Sequence, residues 1–181
     1  MADYQVKGST IASKFDFVRE RYGERAEAEL REELETEGLR SVLSSSWYPF
    51  SVYESLNKAI ADKLLGGDLS RLVEVGKYSA QNALTGVYKA YTRQDDFQQF
   101  LRRISSLHST FYSHGDMEVT AEEGSASCEI HLTGAPLYTD ADLYVAQGFY
   151  MGAAEVFGLA GVDCSLKKDA NGAHFTLRWM G

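Results

Sequence analysis

Between Thr139 and Ala160 the chain is apolar nearly all round: after the opening turn Thr139-Asp-Ala-Asp, only Gln147 and Glu155 carry strongly polar side chains. A helix with no solvent face has to be buried on most sides, so this stretch predicts a central helix. On both flanks the hydrophobic period is two. Met117, Val119 and Ala121 alternate with Glu118, Thr120 and Glu122, and beyond Glu123-Gly124 the residues Cys128, Ile130 and Leu132 alternate with Glu129, His131 and Thr133. A two-residue turn at Glu123-Gly124 sets Val119 opposite Cys128, Met117 opposite Ile130 and Glu118 opposite Glu129, giving one apolar face and one wet face. After the central helix, a turn at Asp169-Ala-Asn-Gly172 pairs Leu166 with Phe175, Cys164 with Leu177, Val162 with Trp179 and Asp163 with Arg178.

Upstream the period is helical. Ile11, Phe15, Val18 and Tyr22 predict a helix over 9–22 stopped by Gly23, with Gly8-Ser-Thr as its N-terminal cap. Ala26, Leu30 and Leu34 give a thin stripe for a surface helix over 24–37. Phe50, Tyr53, Leu56, Ile60 and Leu64 form one face of a third helix, with serines 44–46 offering caps, Pro49 in its first turn and Gly66-Gly67 as its stop. From Asp68 to Tyr91 the pattern runs on for over six turns as one long helix, bent near Thr85-Gly86, whose stripe includes Val87 and whose small residues 76, 80 and 83 admit a close neighbour. Asp95-Asp96 opens a further helix with Phe97, Phe100, Leu101, Ile104, Leu107, His108 and Phe111 on its buried side. The order predicts an α+β fold: one domain over 1–181, with a helical half to 114 and a ββαββ unit over 115–181, its antiparallel sheet covered by helices.

A formal charge of -8 argues against nucleic-acid partners and anionic membrane surfaces, which require clustered lysine and arginine. Cys128 and Cys164 have neither disulfide-framework nor zinc-site spacing. There is no signal-peptide core and no run of about 18 apolar residues, which points to a cytoplasmic chain. No GxSxG, HExxH or dinucleotide loop occurs, and His108, His114, His131 and His174 are scattered without paired acids. Gly148-Phe-Tyr-Met-Gly152 has small-xxx-small spacing, which here means close seating of the helix backbone on a neighbour. Glu155 is either a half-exposed carboxylate paired with an arginine or an anchor for a ligand or partner.

Ser127 to Trp179, with Gly148-Phe-Tyr-Met-Gly152, Glu155, Gly158 and Phe175-Thr-Leu-Arg-Trp, resembles the C-terminal part of the 4-vinyl-reductase-type small-molecule-binding domains. That superfamily also holds haem-based nitric-oxide sensor domains and TRAPP tethering subunits, and its fold is helices followed by ββαββ. Val6-Lys-Gly-Ser, Ser46-Trp-Tyr-Pro49 and Ala83-Leu-Thr-Gly-Val-Tyr88 resemble an uncharacterised paralogous family of myxobacteria. The Tyr-x-Ser-x-Arg motif of the haem-binding members is absent and their proximal histidine matches no residue by pattern, so the resemblance implies no haem; of the zinc cysteines around the last hairpin only Cys164 is present, expected to face the core with His174 on the opposite face. No metal and no cofactor are expected.

Two functions follow from the resemblance. One is a non-catalytic sensory or carrier module that holds a small apolar or aromatic ligand between helices and sheet. The other is a dimeric protein-interaction module in signalling or tethering. For the first, Trp47, Tyr48, His108, Phe111 and Tyr112 are the expected pocket wall, aromatic surfaces with a few polar groups to fix orientation; the alternative is that they pack on one another and leave no space. For the second, the helix over 69–91 and the Tyr144, Gln147, Met151 and Glu155 face of the central helix predict a homodimer.

Overall fold

The computed structural model describes residues 4–86, 88–92, 96–122, 124–134 and 138–181. Expectations placed on Val87, Asp95, Glu123 and the Leu107 side chain fall outside the described residues. Among those described, six helices and six strands follow in order: β1 (Gln5–Lys7), α1 (Gly8–Tyr22), α2 (Glu24–Glu33), β2 (Trp47–Pro49), α3 (Phe50–Leu64), α4 (Leu72–Thr85), α5 (Phe97–Phe111), β3 (Asp116–Thr120), β4 (Ser127–Thr133), α6 (Asp140–Val156), β5 (Asp163–Lys168) and β6 (Gly172–Arg178). Helices followed by ββαββ is the order the periodicity predicts. No helix among the described residues is long and apolar enough to cross a membrane.

The four-stranded antiparallel sheet runs β3-β4-β6-β5. The second hairpin has the expected register, Leu166 with Phe175, Cys164 with Leu177 and Asp163 with Arg178, and its ladder ends there, short of Val162 and Trp179. Asp169 Oδ1 closes the turn by accepting from the Asn171 and Gly172 amides. The first hairpin is corrected by two residues: Met117 faces Leu132, Val119 faces Ile130 and Glu118 faces His131, not Glu129. A shift of two preserves both faces. It arises because the loop is longer than two residues, and Gln98 of α5 holds it open by donating to the carbonyls of Glu122 and Ser125.

Three local expectations fail for identifiable reasons. The long helix is broken: a 3-10 turn (Leu69–Arg71), α4 and a second 3-10 turn (Lys89–Thr92) replace it, and Gly86, at φ -101 and ψ -114, ends α4. The 24–37 helix ends at Glu33 and continues as a 3-10 turn, Glu35–Glu37. The starts of α1 and α3 have no side-chain caps. Instead the Gly8 and Ser9 amides donate to the Ser46 and Ser44 carbonyls, because β1 and β2 pair, Val6 with Tyr48, and bring that loop against α1. Val6 also bridges Tyr112, so this small sheet pins the C-terminal end of α5.

Burial divides into two clusters. One joins α1, α2 and α3 through Ile11, Phe15, Leu30, Leu56 and Ile60; the other joins the sheet to α5 through Phe100, Leu101, Ile130, Leu132 and Phe175. Helices α4 and α6 belong to both. They cross with backbones nearly touching: a Cβ on Gly148 would stand 2.1 Å from Val73 O, and one on Gly76 would stand 2.0 Å from Val145 O. The small-residue spacing on both helices is therefore a packing device. Thr139 and Asp142 form a reciprocal capping box at the start of α6.

Candidate functional site

Where the two clusters meet, the side chains leave a cavity of about 210 Å³. Helix α5 contributes Phe100, Ile104, His108 and Phe111; α6 contributes Asp142, Leu143, Ala146, Phe149 and Tyr150; Lys14 of α1, Tyr53 of α3, Leu84 of α4 and Leu132 of β4 complete the main walls. The lining is chiefly aromatic and aliphatic, with a few polar groups at fixed places, the composition expected of a small-molecule site.

Of the five expected wall residues, His108, Phe111 and Tyr112 line the cavity. Trp47 and Tyr48 do not. They belong to β2 rather than to a helix corner, and strand pairing turns them away: Trp47 is 38% exposed under the Lys7 ammonium, 4.6 Å from its ring centre, and the Tyr48 hydroxyl accepts from the Leu43 amide.

His108 is the one histidine of the four in this wall. Its Nε2 lies 3.2 Å from the His114 carbonyl and 3.4 Å from the Tyr138 hydroxyl, and its ring stacks on Tyr112 with centroids 5.0 Å apart. A carbonyl only accepts, so in this bond Nε2 carries the proton and Nδ1 keeps the lone pair. Burial lowers its pKa, against the His114 carbonyl and the Asp116 charge, which raise it. The ring is thus a neutral imidazole, the form that binds metals. Burial and the neighbouring His108 likewise lower His114.

The polar residues sequence reasoning missed sit along one side. Lys14 is fully buried, and its Nζ has no hydrogen-bond partner among the described residues; it lies 4.3 Å over the Tyr53 ring. Burial pulls its pKa down to about 7, with the Asp142 charge opposing. Asp142, raised by burial, is held by the Thr139 amide and hydroxyl on Oδ2 and by Asn57 Nδ2 on Oδ1. Burial also raises the Tyr112 hydroxyl, to about 12. The signal for Lys14 was in the sequence: it stands three residues after Ile11 and one before Phe15, inside the apolar stripe of α1.

The predicted interface residues have partners within the chain. Glu155 pairs with Lys77, a lysine in place of the expected arginine; Gln147 donates to the Cys164 carbonyl; Tyr144 and Met151 pack on the two clusters. Outside the cavity, on the far face of the sheet, the cross-strand pair His131 and His174 stack 3.8 Å apart, and with Asp169 their ligand atoms lie within 4.8 Å of one another. Histidines scattered along the sequence are neighbours here because β4 and β6 pair.

Against solved structures the chain is similar to an H-NOX protein of S. oneidensis in its Fe(II)NO state (TM-score 0.76, 15% identity, 97% of this chain and 99% of that one). It is similar also to the unliganded Fe(II) H-NOX protein of K. algicida (0.70, 13%, 97% of both) and to an oxygen-binding H-NOX domain related to soluble guanylate cyclases (0.72, 13%, 97% and 95%). These likenesses establish a shared fold. No curated protein matches. The haem-NO-binding family model matches residues 7–119, more than half of the chain and a span that includes α1, α5 and His108: the chain belongs to the haem-NO-binding family.

Proposed function

We propose that this chain is a non-catalytic sensory module whose cavity would take haem, held through the His108 imidazole, with a diatomic gas as the signal. One observation carries the reading: the single histidine of the cavity wall is a half-buried imidazole on α5 whose neutral form burial favours, within the span matched by the family. Neutral imidazole is a standard donor to haem iron, and the aromatic walls suit a planar macrocycle. Bound haem would supply the iron on which a gas binds. The residues of the chain would hold and orient it, keep the His108 ring neutral and exclude water. This reading replaces the expectation of no cofactor, which rested on the missing Tyr-x-Ser-x-Arg motif and on a proximal histidine that matched no residue by pattern. The solved H-NOX proteins, described as Fe(II), nitric-oxide and oxygen forms, support it by their shared fold.

The test is reconstitution of purified chain with haem, followed by optical spectra with and without nitric oxide. The expected result is a histidine-ligated spectrum that shifts with the gas, is lost in His108→Gly and returns on adding imidazole. Spectra identical in wild type and His108→Gly overturn the assignment. The cavity, about 210 Å³, falls below the roughly 300–1,000 Å³ usual for ligand pockets, so haem requires its walls to part. That volume favours a second reading, a smaller apolar ligand with no haem; native mass spectrometry showing such a molecule, with no histidine-ligated spectrum after reconstitution, would establish it. In either reading the chain works in the cytoplasm as one unit over 1–181.

A further inference from the structure

Lys14 is the one buried lysine or arginine among the described residues, and its Nζ has no hydrogen-bond partner there. Its neighbours Ile11 and Phe15 are wholly buried, as it is, so the side chain sits mid-helix with no route by which the ammonium can reach water. The nearest acid does not relieve it: both oxygens of Asp142 are engaged by Thr139 and Asn57, and no ion pair joins Asp142 to Lys14 among the described residues. Ser13 and Ser79, also in the cavity wall, hydrogen-bond to each other at 2.9 Å. What remains is the Tyr53 face, 4.3 Å away, and a cation–π contact replaces only part of the lost hydration. An amine buried without a partner is strongly destabilising, and it faces a cavity whose walls are chiefly apolar.

We infer that Lys14 is a carboxylate-binding residue: it takes the acid group of an apolar ligand held in this cavity, either a haem propionate or the head of a free apolar acid. Only the first source rests on the haem reading. A carboxylate there would make the charge-assisted bond that Lys14 lacks. Lys14, Tyr53, Tyr112 and His108 follow one another along the wall, Lys14 over the Tyr53 ring, Tyr53 edge-on to Tyr112, and Tyr112 stacked on His108. One ligand can therefore meet a donor nitrogen at His108 and a cation at Lys14.

The experiment titrates the purified apo chain with metal-free protoporphyrin IX and with its dimethyl ester by porphyrin fluorescence, and with dodecanoate and dodecanol by calorimetry. At least one acid is expected to bind about tenfold or more tighter than its uncharged counterpart, a charge-assisted bond's worth. Lys14→Met should cut that ratio below about threefold, through weaker binding of the acid, and Lys14→Arg should keep it. The acid that shows the Lys14-dependent ratio identifies the source. A ratio unchanged in Lys14→Met, or no preference for either acid in the wild type, overturns the inference. His108→Ala should leave the ratio intact and remove only the histidine-ligated haem spectrum, so failure of the haem reading and failure of this one give different results. Urea unfolding of each variant confirms that it is folded.

Discussion

Replacing Lys14 by methionine should stabilise the apo protein, and by an amount that depends on pH. Burial lowers the folded-state pKa from 10.5 to about 7, while the unfolded chain keeps the ordinary value. Between those values the unfolded state binds more protons than the folded state, so stability rises with pH across that window and the penalty is complete below about pH 7. A gap of about 3.5, at about 1.4 kcal/mol for each unit, amounts to a cost of roughly 5 kcal/mol in acid and roughly 4 kcal/mol at pH 7. By about pH 9 it falls to roughly 2 kcal/mol. Methionine is similar in length and uncharged, and the site is apolar, so Lys14→Met should recover most of this. The advantage of the variant over wild type should shrink by about 2 kcal/mol from about pH 7 to about pH 9. Urea unfolding followed by the fluorescence of Trp47 and Trp179 at each pH gives both curves, and subtracting one from the other cancels the cysteines and histidines common to the two proteins. A difference that stays flat over this range, or a variant less stable than wild type throughout, would refute a buried, unpaired ammonium at this position.

Other consequences are equally specific. Gly148→Ala puts a methyl 2.1 Å from the Val73 carbonyl, a backbone atom that cannot swing aside, so α4 and α6 must separate at a cost of about 3 kcal/mol; a thermal melt showing under about 1 kcal/mol of loss would mean the helices do not cross so closely. Asp142→Ala removes the capping box and strands Asn57 Nδ2, so chemical denaturation should show a loss of about 2–3 kcal/mol. Because burial holds His108 and His114 below the usual histidine value, the unfolded chain takes protons first as pH drops below about 6.5. Stability should therefore fall with acid there, and replacing both by glutamine should flatten that slope in melts; an unaltered slope would show the rings are not buried neutral.

Most elements were legible where a single period ran uninterrupted, although the helical stripe over 69–91 hid the break that Gly86 makes after α4. The alternation over 163–178 fixed the register of a strand pair, because a four-residue turn with Asp169 and Gly172 admits one register. The all-apolar stretch after Thr139 named the central helix, and Gly148 with Gly152 announced a close neighbour without saying which. Pattern could not see contacts between distant segments. Trp47 and Tyr48 look like a helix entrance until Gln5–Lys7 pairs with them, and the first hairpin slips by two because Gln98, from another element, holds its loop. The cavity was half legible for the same reason: His108, Phe111 and Tyr112 share one helix end, whereas Lys14, Tyr53 and Asp142 come from three helices and meet only when α1, α3 and α6 pack. Sequence periodicity reports which face of an element is apolar, since that is a local property of side-chain spacing. Which polar group becomes trapped behind such a face, and whether it finds a partner there, is settled by the packing of whole elements, and for Lys14 that packing leaves a buried amine facing an apolar cavity.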